Sequence, residues 1–365
     1  MISPKKHLLN IHRTAPDRID RRQYLRLDKN EDLCGLPGDL IRTCLSGITP
    51  DDLSAYPQPY LLYEKLSEYL SIPQECLLIT AGSDAAIKNT FEVFISPGDG
   101  VIIPDPTYAM YEVYAGLFNA ALTKISYSGD LTLSIKEMIG ALGPRTRLVA
   151  LANPNSPTGT ICSRNEIIDL IHECNLRDII VLIDEAYYPF YPETVVDLIQ
   201  KYPNLIVTRT FSKAFGLASL RLGYAVADPR LIRYLSSFRP IYETHSFAVA
   251  LGCAVLENPG FVKQNVKQTL EGRHYLENEM KRLGFFPYPS YSNFVNIRVN
   301  PGIGDQLVEY LKNRNILIKA GADHPALRSC IRITAGPKEK MECVVRSIEE
   351  FLLENGKKLS QAKNP

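Results

Sequence analysis

The strongest constraint on the fold is a series of short apolar runs that alternate with stretches of helical period between residues 77 and 227. The runs read LLIT (77–80), VIIP (101–104), RLVALA (147–152), IIVLID (179–184) and LIVT (205–208). They are continuous and do not alternate with polar residues, which is typical of strands buried on both faces. Such runs, each followed by a helical pattern, predict an α/β fold with a mostly parallel sheet flanked by helices.

Polar and aromatic residues follow three of these runs at the point where each strand should end. Asn155 follows the third run, Asp184 and Tyr187 follow the fourth, and Tyr108 follows the second after two prolines. Each could be structural, as a turn, a helix cap or a packed ring. Because ligands of open parallel sheets bind at the carboxyl ends of strands, the three together indicate a site there.

A lysine follows the fifth run, in the stretch TRTFSKAFGLASLRLGYA (208–225). Lys213 stands eight residues before Arg221, with hydroxyl groups at Thr210 and Ser212. A lysine after a strand is usually a solvated loop residue. With an anion such as Asp184 near it, however, Lys213 is a candidate to form a Schiff base with an aldehyde cofactor such as pyridoxal phosphate.

The first run leads into AGSDAA, which reads as a tight turn and the start of a helix. Gly82 permits the turn, and Ser83 and Asp84 begin the helix. The free N–H groups of a helix start bind phosphate readily. Taken alone, the segment is equally consistent with an ordinary capped helix.

Composition excludes several classes of function. The 41 Lys and Arg nearly balance the 40 Asp and Glu, giving a net charge of +1, so nothing favours nucleic acid as a partner. The eight cysteines form no CxxC pair or metal-ligand pattern, and free thiols are expected. No stretch approaches the ~18 apolar residues of a membrane span. A cytoplasmic protein without a metal site is expected.

The 365 residues suggest one large and one smaller domain. Strand-like segments after residue 290, such as NFVNIRV and CIRITAG, alternate more than the earlier runs, as expected of a half-exposed layer. We predict an N-terminal arm that joins the small domain (1–45), a large cofactor-binding domain (46–239) and a smaller α/β C-terminal domain (240–365).

The motifs in order resemble those of the fold-type I pyridoxal phosphate-dependent aminotransferases, and are most similar to the histidinol-phosphate aminotransferase group. They read AYP, AGSD, PTYAMY, NPNSPTG, DEAYYPF, TRTFSKAFGLASLRLGY, SNFVNI and LRSCIRITAG. Each alone is a moderate signal, whereas their order over nearly the whole chain is specific. The resemblance implies a pyridoxal phosphate enzyme that transfers an amino group between a small-molecule amino donor and an oxo acceptor.

The resemblance also implies roles for the residues at the strand ends. Lys213 would hold pyridoxal phosphate as a Schiff base and serve as the general base once freed. Asp184 would pair with the protonated pyridine nitrogen. Asn155 and Tyr187 would bond the phenolate oxygen, and Tyr108 would stack on the ring.

A second group of residues is implied to hold the cofactor phosphate. These are Gly82, Ser83, Asp84, Thr210, Ser212 and Arg221. Tyr56, in a proline-rich loop, would reach the phosphate of a neighbouring subunit, which implies a homodimer with shared active sites. Arg332 would bind the carboxylate of the donor, with Asn30 and Lys319 as further substrate-binding candidates.

The chain departs from the group where substrate phosphate is held. The group commonly carries an arginine thirteen residues before the Arg332 position, and here Lys319 keeps the charge without the bidentate fork. The N-terminal tyrosine segment is replaced by HRTAPDRIDRRQY. Its arginines are either solvated or at the mouth of the site; these are Arg13, Arg18, Arg21 and Arg22, with Arg239 and His245 as additional candidates.

The sequence leaves a lyase reading open beside transamination. Phosphoamino-acid decarboxylases share this scaffold and nearly the same cofactor residues. Which Cα bond breaks depends on its angle to the cofactor ring, which a sequence does not determine. A regulatory use of the fold is disfavoured because Lys213 is intact and no DNA-binding extension flanks the chain.

Overall fold

The computed structural model of the protein describes residues 3–9, 11, 19–300, 302–321 and 324–361. The strands are β1 Leu25–Arg26, β2 Leu77–Thr80, β3 Gly100–Asp105, β4 Ala121–Ser126, β5 Thr146–Ala152, β6 Ile180–Asp184, β7 Leu205–Thr210, β8 Gly223–Ala227, β9 Phe286–Pro287, β10 Phe294–Arg298, β11 Ile316–Leu317, β12 Lys319–Ala320 and β13 Cys330–Thr334. The α-helices are α1 Gly38–Ser46, α2 Pro50–Ser54, α3 Tyr60–Leu70, α4 Ser83–Phe94, α5 Ala109–Leu117, α6 Ile135–Gly140, α7 Arg164–Asn175, α8 Pro229–Ser237, α9 Ser246–Glu257, α10 Pro259–Arg282, α11 Ile303–Lys312 and α12 Lys338–Gln361.

Seven strands form the main sheet, in the order β2-β8-β7-β6-β5-β3-β4. Strands β3 to β7 pair in parallel, whereas β8 runs antiparallel to both β7 and β2. The predicted α/β class with a mostly parallel sheet is therefore confirmed. All the parallel strands end at one edge of the sheet, so the segments that follow β3, β5, β6 and β7 lie together.

The central strands are buried on both faces, as their continuous apolar runs require. In β6, Val181 and Ile183 belong to the core that contains α6 and α7, and Leu182 belongs to the core that contains α4 and α5. Successive side chains of a strand point to opposite faces, so each face needs its own apolar set. Only the edge strand β4 is largely exposed among the seven.

Two local signals fix where helices begin near the sheet edge. Ser163 and Glu166 form a reciprocal capping box at the start of α7, which satisfies backbone N–H groups that have no partner inside the helix. Helix α4 differs, because it begins after Gly82 with φ +83° and has no side-chain cap. Its first N–H groups are left available to a ligand.

A second, four-stranded sheet has the order β12-β13-β10-β9. Its apolar face packs on α10, α11 and α12, with a core that includes Val295, Ile331, Leu307 and Met341. Strand β1 pairs in parallel with β11, which brings the N-terminal segment to this part of the molecule. The domain boundaries proposed from the sequence stay a prediction.

Helices of the described residues show no membrane-crossing character: none combines the length and the low polarity that a bilayer span requires.

Candidate active site

A cleft of about 1070 Å³ lies at the carboxyl edge of the main sheet. Residues of the N-terminal segment, β12 and β13 close its other side. Twelve of the residues proposed from the sequence line it: Asn30, Ser83, Asp84, Tyr108, Asp184, Tyr187, Thr210, Ser212, Lys213, Arg221, Lys319 and Arg332. Three others, Gly82, Asn155 and Tyr56, are not among its lining residues.

Lys213 lies in the turn after β7, with its amine inside the cleft. The amine donates hydrogen bonds to the backbone carbonyl oxygens of Lys29 (3.1 Å) and Asn30 (3.0 Å). Burial, together with the guanidinium groups of Arg332 and Arg221, lowers the pKa of Lys213 to about 8. A neutral amine, which is needed for nucleophilic attack or proton abstraction, is thus accessible near neutral pH.

Asp184 ends β6 and is 4% exposed. Its carboxylate accepts hydrogen bonds from the hydroxyl groups of Thr208 (3.1 Å) and Tyr111 (3.4 Å). Burial raises the pKa of Asp184 to about 7 despite these bonds. Among the described residues no cation forms an ion pair with it, so the carboxylate suits a cationic ligand group.

Gly82 and Gly223 allow three segments to meet at the start of α4. A Cβ atom added to Gly82 would lie 2.8 Å from Nη2 of Arg221, and one added to Gly223 would lie 2.3 Å from the backbone nitrogen of Ser83. The absent side chains let the guanidinium group and the helix start approach each other. Both attract anions, so together they form an anion cradle.

Hydroxyl groups extend this cradle toward Lys213. Thr210 donates to the hydroxyl of Ser212 (2.9 Å), and Arg221 Nη1 donates to the same hydroxyl (3.3 Å). Thr210 and Ser212 are both buried, whereas Arg221 is exposed on the isolated chain. The cluster can present several donors to one tetrahedral anion.

Tyr108 precedes α5 and lies close to the start of α4. Its hydroxyl donates to Oδ1 of Asp84 (3.1 Å), and its ring contacts Tyr111 edge to face at 5.7 Å. Burial and the nearby carboxylates of Asp84 and Asp184 raise the pKa of Tyr108, so its hydroxyl is protonated at neutral pH. The ring lines the cleft with its position fixed by these contacts.

Asn155 is 1% exposed and is held by the loops around it. Its amide nitrogen donates to the carbonyl oxygen of Pro106 (3.0 Å) and to the hydroxyl of Thr158 (2.9 Å), and its oxygen accepts from Thr107 (2.7 Å). Both amide protons are therefore engaged within the protein. Its expected role as a donor to the cofactor stays a prediction.

Arg332 and Lys319 are direct neighbours on adjacent strands, since β12 and β13 pair these two positions. Arg332 Nη2 donates to the carbonyl oxygen of Asp28 (2.7 Å). Its Nε is buried without a hydrogen-bond partner, and burial lowers the pKa of the guanidinium group. The guanidinium group lines the cleft, where it can offer donors to a polar ligand.

Sequence reasoning missed a charged cluster at the mouth of the cleft. Lys124 on β4 bonds Glu112 on α5 (2.8 Å), and His324 Nε2 lies 3.8 Å from the carboxylate of Asp105 at the end of β3. Only Asp105 carried a usable signal, since it follows an apolar run. Of the others, Lys124 lies on the edge strand β4, Glu112 on α5 and His324 in a loop of the C-terminal region.

Arg21, Arg22, Arg239 and His245 are not among the residues that line the cleft. Arg21 forms a two-bonded pair with Asp28 (2.7 and 2.8 Å), and Arg22 pairs with Asp20 at the surface. His245 caps α9. Arg13 and Arg18 lie outside the described residues, and Arg239 bonds nearby backbone carbonyl oxygens.

Metal binding has no visible basis in the part of the chain that the structure describes. No group of three or more His, Cys, Asp or Glu side chains there could hold an ion.

Comparison with known proteins identifies the family. The model of the family "Aminotransferase class I and II" matches residues 52–348. A histidinol-phosphate aminotransferase of Thermoanaerobacter pseudethanolicus is 33% identical over 332 residues, which cover 90% of this chain and 93% of the relative.

Solved structures share the fold. The histidinol-phosphate aminotransferase of Sinorhizobium meliloti in complex with pyridoxal-5'-phosphate superposes with a TM-score of 0.88 at 22% identity, covering 97% of this chain and 98% of that one. The enzyme of the same name from Clostridium acetobutylicum gives 0.82 at 20%, covering 91% and 99%. The family model and the identity to the curated relative show that the chain belongs to the class I and II aminotransferase family.

Proposed function

We propose that this chain is a pyridoxal phosphate-dependent aminotransferase that moves an amino group from an amino acid such as glutamate to a small phosphorylated oxo compound. One observation carries the proposal: a single cleft holds the Lys213 amine, the buried Asp184 carboxylate and the anion cradle around Arg221. The family match and the names of the curated relatives support it.

The residues of the cleft fit the cofactor. A protonated pyridine nitrogen would supply the positive charge that Asp184 lacks among the described residues. Gly82 leaves room beside Arg221 that any Cβ atom would fill. Ser83, Thr210, Ser212 and Arg221 would hold the phosphate together with the first N–H groups of α4.

When bound, pyridoxal phosphate supplies an aldehyde that links to an amine and a ring that accepts the electrons left on Cα. Lys213 would take a proton from Cα of the substrate and hold it at Nζ, for which its lowered pKa suits it. The carboxylate of Asp184 would hold a protonated ring nitrogen. Tyr187 would donate to the phenolate oxygen, and Tyr108 would cover the ring.

Arg332 and Lys319 are the proposed substrate anchors. Arg332, which lines the cleft, would bind the carboxylate of the donor through its guanidinium group. Lys319, opposite it on β12, supplies a second positive charge for a distal anionic group such as a phosphate. A substrate with two anionic ends matches this pair, as does the phosphorylated substrate in the names of the curated relatives.

A half-reaction tests the proposed function. Glutamate added alone to the purified holoenzyme should convert the bound cofactor to pyridoxamine phosphate, seen as loss of its visible absorbance. Phosphorylated oxo acids and oxo compounds, added next, should restore the absorbance. If only non-phosphorylated acceptors restored it, the substrate assignment would be wrong while the transaminase assignment stood.

The lyase alternative predicts a different product. A decarboxylase would release carbon dioxide from a phosphoamino acid without an oxo acceptor, and glutamate would leave the absorbance unchanged. The curated relatives carry aminotransferase names, which favours transamination. Carbon dioxide release without acceptor would overturn the proposal.

The proposal includes a homodimer in which Tyr56 reaches the neighbouring site. Tyr56 is 72% exposed and stacks on Tyr242 at 4.1 Å, and Ile241 beside it is 81% exposed. Contiguous apolar side chains at a surface are typical of a protein interface. A second copy of this chain would cover them and approach the exposed Arg221.

The proposed location is the cytoplasm. All eight cysteines are free thiols, which is typical of chains kept in a reducing compartment.

A further inference from the structure

Asn30 is held rigidly from the side of the second sheet. Its N–H donates to Oγ1 of Thr334 on β13 (3.0 Å), and its carbonyl oxygen accepts from Nδ2 of Asn293 (3.1 Å). Its φ of +54° lies in the left-handed region, which asparagine tolerates better than most residues. Asn30 is 3% exposed, so its conformation is determined by contacts with other residues and not by solvent.

The hydrogen bonds of Thr334 fix which way the Asn30 amide points. The hydroxyl oxygen of Thr334 already accepts the N–H of Asn30, so its proton is free to go to the amide oxygen, 3.4 Å away. The amide nitrogen of Asn30 must therefore face the opposite way. There it donates to Oη of Tyr187 at 2.8 Å.

This donation determines the direction of the Tyr187 hydroxyl proton. A hydroxyl group has one proton, and the bond from Asn30 occupies one of its acceptor positions. The proton of Tyr187 must then point away from Asn30, toward the part of the cleft where the side chain of Ser156 also lies within hydrogen-bonding reach of the phenol. Burial raises the pKa of Tyr187, so the proton is present at neutral pH.

The backbone of the same residue contacts the reactive amine. The carbonyl oxygen of Asn30 accepts a hydrogen bond from Nζ of Lys213 at 3.0 Å. A single buried residue thus touches the amine through its backbone and the phenol through its side chain. A substitution can separate the two contacts, because only the bond to Tyr187 depends on the side-chain amide of Asn30.

We propose that Asn30 is a positioning residue whose amide aims the hydroxyl proton of Tyr187 at the cofactor oxygen, rather than a residue that binds substrate. The inference rests on the proposed function, since it assigns Tyr187 as a donor to that oxygen. Asn30 itself needs no contact with the cofactor. Its effect should be transmitted entirely through Tyr187.

The physical consequence is a shift in the titration of the bound cofactor. A donor to an oxygen stabilises the more negative, deprotonated state and lowers the pKa of the chromophore. If the Tyr187 proton is no longer aimed, that stabilisation weakens. The pH midpoint of the visible absorbance should then rise, in the same direction as in Tyr187→Phe.

Asn30→Gly is the informative variant, because glycine keeps the left-handed backbone and the carbonyl bond to Lys213 while removing the amide. Asn119→Gly is its matched control, since Asn119 is exposed and also has a positive φ, of 55°. Holoenzymes of both, of Tyr187→Phe and of Asn30→Gly/Tyr187→Phe are titrated by absorbance. Rates of the glutamate half-reaction and cofactor dissociation constants are measured on the same samples.

The expected result is a raised midpoint and a half-reaction about tenfold to a hundredfold slower in Asn30→Gly, the scale of one hydrogen bond to a charged group. The double variant should match Tyr187→Phe, because both changes remove one interaction. Asn119→Gly should behave as the wild type. An unchanged midpoint in Asn30→Gly, or fully additive effects in the double variant, would overturn the proposal.

Asn30→Asp provides a second test if the glycine variant folds poorly. Its carboxylate would accept the Tyr187 proton instead of donating to the oxygen, so the midpoint should rise at least as much as in Tyr187→Phe. A midpoint equal to that of the wild type would contradict the proposal. If the wild type itself bound no cofactor, the proposed function would fail instead, so the two failures are distinct.

Discussion

Asp184 is a buried carboxyl group that the fold leaves without a cation among the described residues. Its pKa is about 7 in the folded protein without cofactor, against an ordinary value of 3.8. Between these two pH values the folded protein holds a proton that the unfolded chain has already released. Stability from this group is complete below pH 3.8 and is lost as the pH rises through 7. A cationic ligand would reverse that loss.

We therefore predict that Asp184→Asn stabilises the cofactor-free protein at pH 8, by up to about 4 kcal/mol. The gain should shrink as the pH falls toward 4 in thermal melts. The same substitution should weaken cofactor binding, because the ring nitrogen loses its carboxylate. Asp178→Asn, at an exposed position, controls for the chemical change; a pH-independent difference in Asp184→Asn would refute the electrostatic explanation.

That Lys213 and Asp184 line one cleft was predictable, because each stands near the end of an apolar run. Asp184 ends β6 and Lys213 lies in the turn after β7, and parallel strands bring such positions together. The state of Asn155 was not predictable, since its amide protons are claimed by Pro106 and Thr158 across a turn. The part played by Asn30 depends on Thr334, some three hundred residues away in the chain.

At the scale of elements, the start of α4 depends on its glycine. Gly82 has φ +83° and lies against Arg221, so a side chain would be both strained and in contact with the guanidinium group. Gly98 also has a positive φ, of +90°, but nothing lies within 4 Å of the Cβ position there. Comparing substitutions at Gly82 and Gly98 therefore separates the effect of backbone strain from the effect of losing the anion cradle.

We predict that Gly82→Ala and Gly98→Ala each lower the free energy of unfolding by roughly 1–3 kcal/mol, the usual cost of such backbone strain. Only Gly82→Ala should also weaken binding of the cofactor and of free phosphate. Urea unfolding and equilibrium titration measure the two effects. Equal cofactor affinity in both variants would mean that the start of α4 does not hold the phosphate.

The elements themselves were largely predictable from periodicity, with one important exception. The run after Leu222 gave no sign that β8 would insert antiparallel between β2 and β7. The close approach of Gly223 to Ser83 explains the need for glycine there, but that contact is between distant segments. Pairing of β1 with β11, which delivers Asn30 to the cleft, is likewise invisible locally.

The exposed surface around Tyr56 is the proposed interface between two copies of the chain. Ile241→Glu should convert the proposed dimer to monomer in sedimentation experiments, because it would bury a charge in the interface. Leu176→Glu, at the C-cap of α7 where the side chain is 66% exposed, should leave assembly unchanged. A monomeric wild type, or a dimeric Ile241→Glu, would count against this interface.

Mixed dimers test whether Tyr56 serves the active site of the neighbouring subunit. Chains carrying Lys213→Ala and chains carrying Tyr56→Phe should complement each other when refolded together, since one site of each mixed dimer is then intact. Activity should approach about a quarter of the wild-type value with random pairing. Activity no greater than the sum of the two separate variants would show that Tyr56 serves no neighbouring site.

Chemical trapping shows whether Lys213 carries the cofactor. Borohydride reduction of the holoenzyme followed by trypsin should give the peptide TFSKAFGLASLR, which is uncut because Lys213 bears a phosphopyridoxyl group. Mass spectrometry should find that group at Lys213 alone and nowhere in Lys213→Ala. A label on another lysine such as Lys319, or no label, would contradict the account.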